Sequence, residues 1–175
     1  AKLAGQPVQL IWTREEEFFY DTFRPAAIVK IKAGVTDAGR ISLWDYGVYF
    51  AGQRGSEHIY DIPHHRTTVF GSGWTGAAGT HPFATGPWRA PSNNTNSFAR
   101  ESHIDILASQ AGIDPLEFRL NNLKDERMIR VLKAVAKQFG WTPAKAPSGR
   151  GFGLAAGIDA GTYVAHMAEA EVDKS

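Results

Sequence analysis

The sequence predicts an α+β fold, with antiparallel strands in its first half and three helices and a closing strand in its second half. Residues 27–50 alternate apolar and polar side chains on both sides of the turn signal Thr36-Asp37-Ala38-Gly39, which is typical of a β-hairpin. Residues 97–139 instead place apolar side chains at helical spacing. Residues 163–173 return to strict alternation, which favours a final strand.

The chain before the hairpin is predicted to hold one strand and one short helix. Residues 8–12 alternate and favour a strand, and a helix through about Tyr20 follows. Thr13-Arg14-Glu15-Glu16 has the spacing of a capping box, in which a threonine hydroxyl accepts from the third helical amide and a glutamate reaches back.

The middle of the chain carries weaker signals. Residues 67–70 form another candidate strand. The glycine-rich stretch 71–92 is predicted to be an ordered loop, because it also carries the large aromatic residues Trp74, Phe83 and Trp88.

Three helices follow, and each has a recognisable boundary. The first spans residues 97–110, and its apolar stripe consists of Phe98, Ile104, Leu107 and Ala108. Asp114, followed by Pro115, predicts the N-cap of the second. Asp125 predicts the N-cap of the third, which Gly140 ends.

Composition excludes several classes of function. A formal net charge of +1 gives no basis for a nucleic-acid partner, and no run of 18 apolar residues predicts a membrane segment. The absence of cysteine excludes disulfides, cysteine-ligated zinc and iron–sulfur clusters within this segment. The six histidines show no metal-binding spacing, so no metal ligands are predicted, and the compartment is left open.

The stretch Gly-Pro-Trp-Arg-Ala-Pro-Ser, residues 86–92, is the best candidate for a binding site. Arg89 lies between two prolines and beside Trp88, and arginine is suited to bidentate capture of an oxyanion. Amides at the start of the following helix, around residues 96–99, would add positive potential. The alternative is that Arg89 packs on Trp88 as a surface cation–π pair, and the residues alone favour neither interpretation.

These motifs, taken in order, resemble the cofactor-binding region of the xanthine dehydrogenase/aldehyde oxidase family. The resemblance rests on residues 86–91, on Phe-Ala-Arg-Glu-Ser-His-Ile-Asp-Ile-Leu-Ala at 98–108, and on Gly-Ile-Asp-Pro-Leu-Glu-Phe-Arg-Leu-Asn-Asn-Leu at 112–123. Upstream, Trp-Thr-Arg-Glu-Glu, Phe-Arg-Pro-Ala and Tyr-Asp-Ile-Pro resemble the segments that precede it in the family. The pattern is most similar to the large subunit of the isoquinoline 1-oxidoreductase type.

The resemblance implies a molybdenum hydroxylase. Such enzymes oxidise an aldehyde or N-heterocycle with oxygen derived from water, using molybdenum held by a pterin cofactor, and pass electrons to iron–sulfur clusters on a separate subunit or domain. Arg89 matches the family arginine beside the molybdenum centre, which implies that Trp88, Ala90 and Pro91 also lie at the cofactor. No cysteine follows Arg89, so the carbon monoxide dehydrogenase variant is not expected.

The same resemblance predicts that the chain is one internal fragment of the cofactor-binding subunit. Residues 1–85 would form a strand-rich part, residues 86–147 the cofactor-loop arginine and the helices, and residues 148–175 a glycine-rich turn and final strand. The family's glycine-rich motif with phenylalanine and its general-base glutamate do not occur, so no catalytic residue is predicted here. We expect the fragment alone to be inactive and to retain no cofactor.

Two expectations about partners follow. The rest of the subunit should cover a sizeable exposed apolar surface, through which the fragment could also self-associate. The rival interpretation is a non-catalytic module whose aromatic-rich loop, with Trp74, Phe83 and Trp88, binds a carbohydrate or protein partner.

Overall fold

The computed structural model describes residues 1–72, 81–142 and 149–173. These residues form four helices and five strands. The order along the chain is α1 (Arg14–Tyr20), β1 (Ile28–Val35), β2 (Ile41–Tyr49), β3 (His64–Phe70), α2 (Asn93–Ala111), α3 (Pro115–Asn121), α4 (Glu126–Phe139), β4 (Arg150–Asp159) and β5 (Thr162–Glu171). The mixed helix and strand content confirms the predicted α+β class. Trp74 lies outside the described ranges.

The first sheet has the order β1-β2-β3 and is mixed rather than purely antiparallel. β1 and β2 form the predicted antiparallel hairpin, but β3 pairs parallel to β2, starting with His64 opposite Leu43. The parallel pairing arises because residues 50–63 return the chain to the starting end of β2 before β3 begins. Sequence alternation defines a strand but not its direction relative to a neighbour.

The core lies between β2 and the helices. Trp44, Tyr46 and Val48 alternate along β2 and are fully buried. They belong to a core cluster that also contains residues of α2, α3, α4 and β4, namely Ile104, Leu107, Phe118, Met128, Leu132, Leu154 and Ala156.

Asn122, just after α3, closes the turn of the β1–β2 hairpin. Its side-chain oxygen accepts from the Ile41 amide at 2.8 Å, and its side-chain nitrogen donates to the Gly39 carbonyl at 2.9 Å. Asn122 is completely buried, so it satisfies main-chain groups that water cannot reach. The hairpin therefore depends on a residue that lies far along the chain, beyond two further strands and helices.

The helix boundaries set by local capping agree with the sequence prediction. α1 begins after Thr13 with both bonds of the predicted capping box. The carboxylates of Asp114 and Asp125 accept the first free amides of α3 and α4. Gly140 ends α4 in a left-handed conformation.

Three local predictions were wrong. Residues 8–12 form no strand, because no neighbouring strand pairs with them and they remain exposed. The predicted glycine-rich turn after residue 148 is largely β4, whose ten residues pair in continuous register with β5. Phe98 is exposed on α2, because Asn96, Arg100 and Ile104 occupy the buried stripe instead.

The first 23 residues expose many large apolar side chains. Those with more than half of their surface accessible are Leu3, Val8, Leu10, Ile11, Phe18, Phe19, Tyr20 and Phe23. α1 has no buried residue at all. Such an apolar surface is typical of a region that packs against further protein. In the described part of the chain, no helix combines the length and apolar character needed to cross a membrane.

Candidate functional site

The loop that carries Arg89 runs beside the segment Thr22–Pro25 before it enters α2. The Phe23 amide donates to the Ala84 carbonyl at 3.0 Å, and the Gly86 amide donates to the Phe23 carbonyl at 3.0 Å. These two bonds make a short parallel bridge between Phe23 and Thr85. The loop is therefore attached to the N-terminal part of the chain as well as to α2.

Arg89 is exposed, and its guanidinium group has no hydrogen-bond or ion-pair partner among the described residues. Its carbonyl oxygen accepts from Nη2 of Arg24 at 2.7 Å. The cation–π contacts of the described residues involve Arg14, Lys30 and Arg127, and none places Arg89 over Trp88. The alternative of a surface cation–π pair is thus wrong for this structure, and the Arg89 charge remains available to a ligand.

Trp88 is half exposed and lines a cavity of about 290 Å³ beside α1. Phe18 and Phe23 form the other aromatic walls, and Arg14 and Arg24 contribute guanidinium groups. Arg14 is bonded to Glu17 at 2.6 Å, so its charge is already paired. Glu17, Asp21 and Thr22 complete the lining, so aromatic walls combine with polar groups, as in many ligand pockets.

The backbone on both sides of Pro91 is strained. Ala90 has φ +53° and Ser92 has φ +63°, in the left-handed region that costs an L residue about 1–2 kcal/mol. The Ser92 hydroxyl is also buried and has no hydrogen-bond partner among the described residues. Ser92 borders a cavity of about 10 Å³, which has room for about one water molecule and for nothing larger.

α2 begins at Asn93, four residues earlier than predicted. The extra turn forms because buried Asn96 anchors it: its side-chain nitrogen donates to the carbonyls of Gly52 and Arg54, both at 3.0 Å. The amides of residues 96–99 are therefore inside the helix, and the Asn96 amide already donates to the Ser92 carbonyl. The predicted contribution of these amides to anion binding is wrong.

A buried polar cluster joins α2 to α3 and β4, and the sequence interpretation missed it. Both Glu101 carboxylate oxygens accept from the Tyr60 hydroxyl, and they also accept from Arg100 and Arg119. The Ala156 amide donates to the same carboxylate at 3.1 Å. Burial, and then the Glu101 charge, raise the pKa of Tyr60 well above its usual value. Because these bonds are internal, the cluster holds α2, α3 and β4 together.

The histidines and carboxylates of the described ranges bring no three potential metal ligands together. His58 and His65 form an edge-to-face pair with ring centroids 4.5 Å apart. Nδ1 of His58 lies 2.8 Å from the Tyr60 carbonyl oxygen, so one ring nitrogen of this pair is already in contact with the main chain.

The sequence profile of the molybdopterin cofactor-binding domain family matches residues 1–123. This chain belongs to that family. The match includes α1, the first sheet, the Arg89 loop, α2 and α3.

Curated relatives of this chain agree with the family match. It is 29% identical to a nicotinate dehydrogenase subunit of Pseudomonas putida over 99% of its own length, which is 17% of that protein. It is 27% identical to the aldehyde oxidoreductase molybdenum-binding subunit PaoC of Escherichia coli over 90% of its length, and 25% of that protein. The chain therefore spans about a fifth of the length of these relatives.

The fold is also found in a solved structure. Quinoline 2-oxidoreductase from Pseudomonas putida 86 superimposes with a TM-score of 0.61 and 16% sequence identity. The superposition covers 89% of this chain and 24% of the other. At this identity the likeness concerns the fold of the molybdopterin-binding domain.

The donor groups of the Arg89 loop fit an oxygen-rich anion such as a pterin-bound molybdenum group. Arg89 supplies an unpaired, exposed guanidinium group among the described residues, and the first turn of α2 contains no acidic residue that would oppose an anion. The cavity at Ser92 is too small for a cofactor, so binding would use the outer face of the loop. The loop would provide one wall of such a site.

Proposed function

We propose that this chain is part of the cofactor-binding subunit of a molybdenum hydroxylase that oxidises an aldehyde or N-heterocycle. The family match carries this proposal, and the names of the relatives, which include nicotinate dehydrogenase and aldehyde oxidoreductase, support it. The bound cofactor would supply the two-electron redox chemistry, with the oxygen atom derived from water. Electrons would then pass to iron–sulfur clusters on a partner subunit or domain.

Within this function, we assign Arg89 and its neighbours Trp88, Ala90 and Pro91 to cofactor binding. Arg89 would bind an anionic oxygen through its guanidinium group, because it is exposed and unpaired among the described residues. Trp88 would border the substrate side, because it already forms a wall of the aromatic cavity. The general base would come from another part of the subunit.

The exposed apolar side chains of the first 23 residues support the proposal that the rest of the subunit is the principal partner of this chain. α1 leaves Phe18 and Phe19 more than two-thirds exposed, which is costly for a surface that faces only water. We propose that other segments of the same subunit cover this surface. The isolated 175-residue chain would then self-associate and retain no cofactor.

Elemental analysis for molybdenum tests the proposal on the full-length protein, co-expressed with its neighbouring subunit. We expect near-stoichiometric molybdenum in the wild type and a clear decrease in Arg89→Ala. Arg66→Ala is the matched control, because Arg66 is an exposed arginine of β3 that pairs with Asp45 outside the loop. Equal molybdenum in all three proteins would contradict the assignment of Arg89.

An absence of molybdenum from the wild type and every variant would contradict the proposal that the full-length protein is a molybdenum enzyme. The rival binding module would then be the better account, because the cavity lined by Trp88, Phe18 and Phe23 is large enough for a small ligand.

A further inference from the structure

We propose that Arg24 is a positioning residue for the Arg89 loop. Together with Thr22 and Phe23 it forms a clamp, defined here as residues Thr22–Arg24, that fixes the orientation of the peptide between Arg89 and Ala90. This inference rests on the proposed function, because the loop matters only if it contacts the cofactor.

The clamp bonds to main-chain groups of the loop at two places. Phe23 exchanges two main-chain bonds, with Ala84 and Gly86, at the beginning of the loop. Arg24 donates from Nη2 to the Arg89 carbonyl at 2.7 Å, across 65 residues of sequence. A charged donor at this distance makes a strong hydrogen bond. The residues between these two attachments are therefore held on both sides.

Side-chain packing reinforces the same contact. The rings of Phe23 and Phe83 lie 4.8 Å apart. At Gly86, an added Cβ atom would collide with Oγ1 of Thr22, so the loop main chain lies directly against the clamp. The clamp and the loop thus fit closely without an intervening side chain at residue 86.

The bond from Arg24 has a direct consequence for the next amide. The peptide bond is planar and trans, so its carbonyl oxygen and N–H group point in opposite directions. Because the Arg89 carbonyl faces Arg24, the Ala90 N–H points away from the clamp. This N–H makes no hydrogen bond to the described residues, so it is a second free donor beside the Arg89 guanidinium group.

Arg24 is well placed for this role because no carboxylate of the described residues competes for it. Its hydrogen bond goes to the Arg89 carbonyl, whereas Arg14, which lines the same cavity, is bonded to Glu17. Arg24 is half-buried between the aromatic cavity and the small cavity at Ser92, and it borders both. Arg14 is therefore a matched control for Arg24, because both arginines line the same cavity but only Arg24 is bonded to the Arg89 loop.

Hydrogen–deuterium exchange on the full-length protein, with its neighbouring subunit, tests the clamp directly. In Arg24→Ala we expect amide exchange over residues 84–92 to rise about tenfold, as expected when one charge-assisted bond that limits local opening is lost. Exchange in α4 should not change. Arg24→Lys should restore part of the protection, and Arg14→Ala should match the wild type. Unchanged exchange over residues 84–92 in Arg24→Ala would overturn the clamp.

Molybdenum content and kinetics, measured on the same samples, test the positioning role. Arg24→Ala should lose molybdenum and kcat while α4 keeps its protection, and Arg24→Lys should recover both in part. Faster exchange with full molybdenum content and wild-type kcat would overturn the positioning role. A wild type without molybdenum would instead contradict the proposed function, and the exchange data would still decide the clamp.

A second variant keeps the test valid if Arg24→Ala does not fold. Gly86→Ala leaves Arg24 in place but forces the loop away from Thr22, so it should also raise exchange over residues 84–92. Adding Thr22→Ala removes the colliding hydroxyl and should restore protection in part. Wild-type exchange in Gly86→Ala would overturn the close contact on which the clamp depends.

Discussion

The Tyr46 hydroxyl donates to Oδ1 of Asn96 at 2.7 Å, inside the core and 50 residues apart in sequence. Both side chains are completely buried, and burial raises the pKa of Tyr46 to about 12. The bond joins the central strand β2 to the first turn of α2. The start of α2, and with it the end of the Arg89 loop, is therefore fixed by the sheet.

Asn96→Ala should destabilise the chain substantially. The change leaves the Tyr46 hydroxyl and the carbonyls of Gly52 and Arg54 without partners, and we expect the free energy of unfolding to fall by about 2–4 kcal/mol. Urea denaturation measures this free energy of unfolding. Asn94→Ala, an exposed change in the same turn, should have little effect, and equal effects of the two changes would contradict the anchoring role of Asn96.

Glu101→Gln should be more damaging than the loss of a surface ion pair. The variant leaves Arg100 buried without its carboxylate partner, whereas Arg119 keeps Asp105, and breaking a buried ion pair in this way typically costs about 3–5 kcal/mol. Asp45→Asn, which breaks the exposed pair with Arg66, is the control and should not change stability measurably. Denaturation midpoints of the two variants are compared with that of the wild type. A Glu101→Gln variant as stable as the wild type would show that the fold does not need the Glu101 charge.

Stability should decrease on acidification because of His103. Burial lowers the pKa of His103 below its ordinary value of 6.5, and its Nε2 has no partner among the described residues. The unfolded chain then binds the proton first as pH falls below 6.5, so the free energy of unfolding declines as pH approaches the folded-state pKa. His103→Phe should reduce this slope in denaturation curves at about pH 5–7, and an unchanged slope would contradict the role of His103.

Ala160→Asn should stabilise the β4–β5 hairpin. Ala160 and Gly161 form a two-residue turn in which both have positive φ, at +46° and +77°. Asparagine tolerates this conformation better than alanine, so we expect a gain of up to about 1 kcal/mol in the free energy of unfolding. Ala155→Asn, within β4, should give no such gain. Thermal denaturation compares the variants, and a destabilised Ala160→Asn would contradict the turn geometry.

The parts of the fold that could be predicted from sequence are those set by neighbouring residues. The caps at Thr13, Asp114 and Asp125 act within a single helical turn, so their spacing is sufficient to identify them. The parallel pairing of β3 and the absence of a strand at residues 8–12 depend on distant partners. β4 was missed because its glycines, which indicate turns locally, are tolerated where β5 supplies a complete register.

The residues of the candidate site also differ in how far the sequence could predict their roles. Arg89 was predicted from its motif and from the family resemblance, and the family match confirms that resemblance while the role of Arg89 stays a prediction. Arg24 belongs to the Phe-Arg-Pro-Ala motif, but neither its role nor that of Asn96 could be predicted, because these roles depend on contacts made 65 and about 40–50 residues away. Phe98 was placed on the buried stripe because it is apolar. The structure instead buries Asn96 and Arg100, whose polar groups bond to main-chain carbonyls and to other side chains.

The position of Asn122 affects how the chain is made. The hairpin turn is closed by a side chain 81 residues after Ile41, and translation at about 5–20 residues per second takes roughly 4–16 seconds to supply it. During that interval water must take the place of Asn122 at the Ile41 amide and the Gly39 carbonyl, and the apolar face of the nascent hairpin is uncovered. We therefore expect the growing polypeptide to be open to chaperone capture for several seconds, and slower codons before residue 122 to lengthen that exposure.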